Sequence, residues 1–408
     1  MFSPSLFIVS TPNTFSLRKI AIPAYGPSLL FGMVEGAVYP VIAITARELG
    51  ASIAEAGLIV ALTGVGALVN NIPASLLTAR FGERWAMTGA ALFTIIALLL
   101  CVAAESPLAF GIGVFMIGMS QAVFLLARQT YLTEVVPITM RARALSTLGG
   151  VMRIGLFISP FISAAIMQML GLDGAYWLAA MAAAAAGALA FTLPDLESRR
   201  NRGTMREDER TTDSARSRVT LLSLLRTHRH AFLTLGTGCL LVAALRACRQ
   251  LVIPLWAAHI MLDAATTSVI YGAMGAIDML LFYPAGKIMD QYGRRWVATP
   301  SMFVMGVALL LIPLTDGFWP FLLATMLLGL GNGLGSGLVM TIGADASPAD
   351  GRPQFLGLWR FMTDIGSCGG PLLASAIAGA AGLVSGVLAV SGLGFAAAAI
   401  FWKWLPKR

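Results

Sequence analysis

Histidine is scarce, with three residues in a chain of 408, and His228, His230 and His259 lack the H-E-x-x-H spacing that lets a helix hold a catalytic metal. The four cysteines, Cys101, Cys239, Cys248 and Cys368, sit in apolar runs without metal-ligand spacing, so they read as buried free thiols. No nucleophile and base stand together, and the chain is read as a non-enzyme without cofactor or metal. Charge is scarce for a chain of this length, at 12% of residues against 57% hydrophobic ones, with a mean hydropathy of +0.80. A water-soluble surface cannot be built from that composition. Residues 194–230, 37 in all, form the one long polar tract, with a short surface helix expected near 219–226. Mixed charge without apolar periodicity makes that tract a flexible linker rather than a folded output module, which argues against a signalling receptor.

Long apolar runs are abundant. Stretches of about 20 residues, the length a bilayer demands of a helix, fall near 22–45, 57–78, 86–104, 108–132, 147–169 and 172–193. A second six lie near 232–258, 266–286, 297–315, 319–343, 355–378 and 382–402. Strand alternation is absent, so helices must satisfy the backbone in lipid. The expected fold is all-α, with twelve transmembrane helices in two pseudo-symmetric six-helix bundles, 1–193 and 231–408, joined by the linker 194–230.

The two halves repeat. "PASLLTARFGERW" at 73–85 returns as "PAGKIMDQYGRRW" at 284–296, an offset of 211 residues that also carries Thr88 onto Thr299, Pro137 onto Pro348, Arg141 onto Arg352, Gly155 onto Gly366 and Pro160 onto Pro371. A gapless match of this length marks a tandem duplication.

The net charge of +8 has a topological reading. With the N-terminus inside, the inner segments hold Arg18, Lys19, Arg80, Arg84, Arg141, Arg143, a cluster from Arg199 to Arg229, Lys287, Arg294, Arg295, Arg352, Lys403, Lys407 and Arg408, whereas the outer loops hold only Arg47. This asymmetry places both termini in the cytoplasm and explains the basic balance without nucleic acid. The first apolar run is long enough to be its own insertion signal, with no cleaved leader expected.

In the second copy of the repeat, Gly286, Asp290, Gly293, Arg294 and Arg295 reproduce G-x-x-x-D-(R/K)-x-G-R-(R/K), with Gln291 in one basic place. With twelve helices and a duplicated half, the chain resembles the major facilitator superfamily of secondary transporters over its whole length. The first copy keeps Gly82 and Arg84 but has Ser75, Ala79 and Glu83 where the pattern has glycine, aspartate and a basic residue. The resemblance implies an inside-face gate, with Asp290 against the start of the eleventh helix, whose dipole favours an anion, helped by Arg294 or Arg295; the alternative is a tight basic turn that enforces topology. Glu134 and Arg141, and likewise Asp345 and Arg352, flank prolines that end the fourth and tenth spans, and each acid and base can pair together or with that loop, or simply mark helix ends. "GLFISPFISA" and "GSCGGPLLAS", with Gly155, Ser159, Pro160, Gly366, Gly370 and Pro371, resemble an antiporter element, and tight helix packing explains them equally.

Eight ionisable residues fall within spans: Glu35, Arg128, Arg153, Arg246, Arg249, Asp278, Arg360 and Asp364. At about 2.5–3.5 kcal/mol each toward lipid, they must face partners or a wet cavity, although Arg128 and Arg360 lie near span ends and can snorkel. Glu35, between Gly32 and Gly36, and Asp278 are the candidates to load and release a proton near neutral pH, the alternative being a structural salt bridge to an arginine of the seventh or fifth span. Arg128 resembles the family's proton-linked arginine of the fourth span. Arg246, Arg249 and Gln250 share one helical face, and Arg153 and Asp364, equivalent under the offset, are expected to meet between halves. Tyr39, Asn71, Gln121, Trp256 and Asn332 complete the candidate substrate contacts.

The expectation is therefore a proton-coupled antiporter in the inner membrane, acting as a monomer by alternating access. It would export a small lipophilic or cationic compound, as in multidrug resistance. The alternative is a carrier of an anionic metabolite gripped by Arg246, Arg249 or Arg153.

Overall fold

Backbone polar groups in a chain this apolar must be satisfied locally, and the computed structural model is helical throughout its crossings. It describes residues 17–136, 138–193, 221–348 and 351–406. Pro137, most of the linker, Lys407 and Arg408 lie outside the described residues, as do the side chains of Arg18, Lys19 and Arg143.

Ten helices among the described residues are long and apolar enough to cross a membrane. One of them, Ile53–Val102, is two crossings joined at Gly82, whose φ of 78° no ordinary L-residue adopts readily. Gly293, its partner under the offset, ends the eighth helix at φ 94°. Arg352–Ala381 adds a crossing that its charges otherwise conceal. The spans are Ala24–Glu48, 53–81, 83–102, Pro107–Val135, Ile138–Leu170 and Asp173–Phe191 in the first half. The second half has Arg229–His259, Ala264–Tyr292, Arg295–Leu314, Phe318–Ala346, Arg352–Ala381 and Leu383–Trp404. An even number of crossings in each half puts Leu17 and Trp404 on one side, the terminal side; the connections at 49–52 and 260–263 lie on the far side.

The repeat seen in sequence is a repeat in packing. In the first half Gly155 of the fifth span lies on the Leu29 carbonyl of the first, and in the second half Gly366 of the eleventh lies on the Leu240 carbonyl of the seventh. Both pairs differ by the same offset of 211. Ser159 adds a hydrogen bond from its Oγ to the Met33 carbonyl at 2.5 Å. Gly155, Ser159 and Gly366 thus serve helix contact.

The halves meet along two seams, the second span on the eleventh and the fifth on the eighth. Far-side contact is close: Gly57 abuts Ser375, Gly64 abuts Cys368, and Gly272 abuts Phe161. Toward the terminal side the second and eleventh spans part around a cavity.

Candidate functional site

Polar residues at helical spacing create that cavity. Arg360, Thr363, Asp364, Ser367 and Pro371 recur every three or four residues along the eleventh span, and all five line the same space. The seventh span contributes Arg246, Arg249 and Gln250, the first Tyr39, the second Thr63 and Asn71, and the fourth Gln121. The cavity has a volume of about 410 Å³. A neighbouring space of about 380 Å³ shares Asn71, Arg360 and Asp364 and extends to Ser75 and Gln129. Those two residues lie about two helical turns from the terminal ends of their spans. The site is therefore approached from the terminal side and closed by packing on the far side.

Charge in the cavity is predominantly positive. Arg246 donates from Nη2 to the Gly335 carbonyl at 2.7 Å, and Arg249 from Nε to the Arg246 carbonyl at 3.3 Å. Neither guanidinium is held in an ion pair among the described residues. Asp364 is the acid on the wall, and it accepts a hydrogen bond from Asn71 Nδ2 at 3.1 Å.

Glu35 stands behind this wall. It is 5% exposed and accepts from Gln121 Nε2 at 2.6 Å, while the same amide nitrogen lies 3.1 Å from the Tyr39 hydroxyl. Gln121 thus links a cavity-lining amide to a buried carboxylate. Arg128 does not snorkel. It is buried, places Nη2 3.0 Å from the Met152 sulfur, leaves Nε and Nη1 without partners, and acts electrostatically on Glu35. The fourth span leads it inward because Ala127 and Tyr131 beside it belong to the packed core.

The expected meeting of Arg153 with Asp364 does not occur, because the two lie on different seams. Arg153 instead pairs with Asp278 of the eighth span at 3.0 Å and stacks over Phe282 at 4.7 Å. Asn332 Nδ2 holds the other Asp278 oxygen at 2.6 Å. Asp278 thus pairs with the fifth span in this structure, and neither it nor Asn332 is among the residues that line the cavity. Trp256 is also remote from the cavity: its indole donates to Thr315 Oγ1 at 3.0 Å within the buried core.

On the terminal side Asp290 is exposed and faces Arg294 of its own turn at 3.6 Å. Arg294 reaches Asp345 at 2.9 Å, joining the eighth-to-ninth turn to the end of the tenth span. Arg352 donates to the Ala344 carbonyl and Arg141 to the Val136 carbonyl, each closing a helix end rather than pairing with its neighbouring acid. Arg295 and Arg84 lie over Trp402 and Phe191, at 4.0 Å and 4.4 Å. These contacts all stay within one half.

Arg360, Thr63, Thr363 and Ser367 were not assigned to the site from sequence. The three- and four-residue polar stripe in "RFMTDIGS" was the signal that would have found the last two with Arg360.

No curated protein matches the chain. Among solved structures, the inward open conformation of the xylose transporter XylE from E. coli aligns with a TM-score of 0.72 at 15% identity, covering 96% of this chain and 97% of that one. The nucleoside transporter NupG gives 0.72 at 14%, covering 94% and 98%. A POT family transporter in complex with a thioalcohol conjugated peptide gives 0.74 at 13%, covering 95% and 96%. The family model of the Major Facilitator Superfamily matches residues 28–248 and 235–408. Two matched segments, two repeated bundles and a central cavity agree, and the chain belongs to the Major Facilitator Superfamily.

Proposed function

We propose that this transporter carries a small molecule bearing a carboxylate or phosphate, exchanging access between the two membrane faces, with a proton as coupling ion. Membership of the family makes it a multi-pass membrane transporter rather than an enzyme. The substrate class rests on one observation: Arg246, Arg249 and Arg360 line a central cavity on whose wall Asp364 is the single acid among the described residues. Partly desolvated guanidinium groups favour carboxylates and phosphates, which they can bind bidentately. A lipophilic cation would meet three like charges there, so export of a cationic drug is the weaker reading.

Glu35 supplies the proton site in this scheme. Gln121 connects it to the cavity, so substrate occupancy and protonation act on one hydrogen-bonded unit. Differential affinity of substrate and proton for the two facing states drives the exchange. In this reading the terminal side faces the cytoplasm of an inner membrane, an orientation that the arginine- and lysine-rich turns support. Labelling of a Met261→Cys variant from outside intact cells tests this orientation, and protection of that exposed far-side position would reverse it.

The substrate test uses the purified chain in liposomes under an imposed pH gradient, screening organic acids and phosphate esters against lipophilic cations. Transport of an acid or phosphate ester, lost in Arg249→Gln, is expected. Cation transport by the wild type, or undiminished acid transport by Arg249→Gln, overturns the reading.

A further inference from the structure

The tenth span is interrupted beside the cavity. Its first helix ends at Leu334, Gly335–Gly337 form a turn, and a second helix restarts at Leu338 after Gly337 in the left-handed region at φ 76°. A helix interrupted in this way leaves carbonyl and amide groups seeking partners at membrane depth. The Gly335 carbonyl accepts from the Leu338 backbone N–H at 3.2 Å and also receives Arg246 from the cavity wall at 2.7 Å.

The interrupted segment also reaches the contact between halves. Asn332, one turn before Gly335, donates to Asp278 Oδ2, and Asp278 Oδ1 receives Arg153 from the other half. Gly333 packs directly on the Asp278 backbone, which fixes the two spans together at this level. A polar chain thus runs from Arg246 through the Gly335 turn and Asn332 to Asp278 and Arg153. Three buried atoms along it, Arg246 Nε, Asn332 Oδ1 and Ser336 Oγ, have no hydrogen-bond partner. Unpaired polar atoms in one cluster make its present arrangement one that can be exchanged for another.

We propose that Asn332 is a positioning residue that couples the cavity to the Arg153–Asp278 contact. Arg246 on the Gly335 carbonyl holds the turn in place. The turn holds Asn332, and Asn332 aligns the Asp278 carboxylate for Arg153. An anion that draws Arg246 away loosens this sequence at its first step, weakens the ion pair, and lets the far side open. This trigger rests on the anionic reading of the substrate; the chain of contacts does not.

The test is carried out without ligand, so it stands apart from the transport assay. Spin labels at Glu48→Cys and Met261→Cys, which flank a far-side groove between the halves, report far-side opening by pulsed dipolar spectroscopy. The four native cysteines are buried. Asn332→Ala, Arg246→Gln and Arg153→Gln should each raise the long-distance population about tenfold, the scale of one hydrogen bond to a charged group. Asn332→Ala combined with either of the others should add nothing further. Arg153→Gln leaves Asp278 unpaired and can lower the yield, so Arg153→Gln/Asp278→Asn supplies a second background in which Asn332→Ala must be silent. Additive shifts, or a response to Arg153→Gln without one to Asn332→Ala or Arg246→Gln, would overturn the proposal. Failure of anions to be transported, with these shifts intact, would remove only the trigger.

Discussion

The two halves are copies in packing and differ in charge at equivalent places. Under the offset of 211, Glu35 corresponds to Arg246, Asn71 to Phe282, Gln121 to Asn332 and Arg153 to Asp364. Gln121 serves a carboxylate of its own half, Glu35, and Asn332 likewise serves Asp278. Positions that carry helix contact have been retained, whereas those around the cavity have diverged: the first half has Glu35 where the second has Arg246, and Arg153 where the second has Asp364. An alternating-access cycle needs the repeated scaffold to move and the differing residues to sense what is bound.

The largest test of this division is to erase it at one place. Glu35→Gln should bring pH-driven transport in liposomes down to the rate seen without a gradient, with substrate exchange at equal pH retained. Arg246→Gln at the equivalent position should instead abolish substrate binding, measured by thermal shift with a transported acid. If both variants lose the same property, the halves do not divide the labour.

Next in size is a comparison of the two seams. Arg153→Gln removes a charge partner from Asp278 and should cost about 2–3 kcal/mol, less than the about 3–5 of a dry pair, because 27% and 19% of the two side chains are exposed. Asn71→Ala, at the other seam, loses only an amide hydrogen bond to Asp364 and should cost about 1 kcal/mol. Melting of the purified variants measures both. Equal costs would make the seams energetically alike despite their chemistry.

Most of the fold was legible in the sequence because lipid leaves few choices: length, apolar composition and basic turns mark the crossings, and the gapless repeat marks the halves. The site was legible residue by residue but not in its pairings. Arg153 and Asp364 look like partners because they are equivalent, yet equivalence under a twofold puts them on opposite seams, and each meets the span that the other does not. Arg128 looks exposed because its distance from the helix end is readable, while the Ala127 and Tyr131 packing that turns it inward is not. Asn332 looks like a substrate contact because a polar side chain in a glycine-rich span has no visible partner in one dimension.

The retained part of the comparison predicts equality. A methyl group on Gly155 would collide with the Leu29 carbonyl, and one on Gly366 with the Leu240 carbonyl. Gly155→Ala and Gly366→Ala should therefore each lower stability by about 1–2 kcal/mol through overpacking. Thermal melting should place them close together, and a clear difference would show that one half bends more readily than its copy.

The smallest effect belongs to the terminal-side turns, where the copies differ in sequence but the contacts lie near water. Arg294 bridges Asp290 and Asp345, whose side chains are 81% and 56% exposed. Ion pairs that open to solvent contribute about 0.2–1 kcal/mol and fade with salt. Arg294→Gln should thus change melting only slightly, and less still at high ionic strength. Both partners lie in the second half, so the bridge does not join the halves in this state and its loss should leave the far-side distance between labels at 48 and 261 unchanged. A large shift in that distance would mean that the turn acts on the gate through the tenth span, whose end carries Asp345 and whose middle carries the Gly335 break.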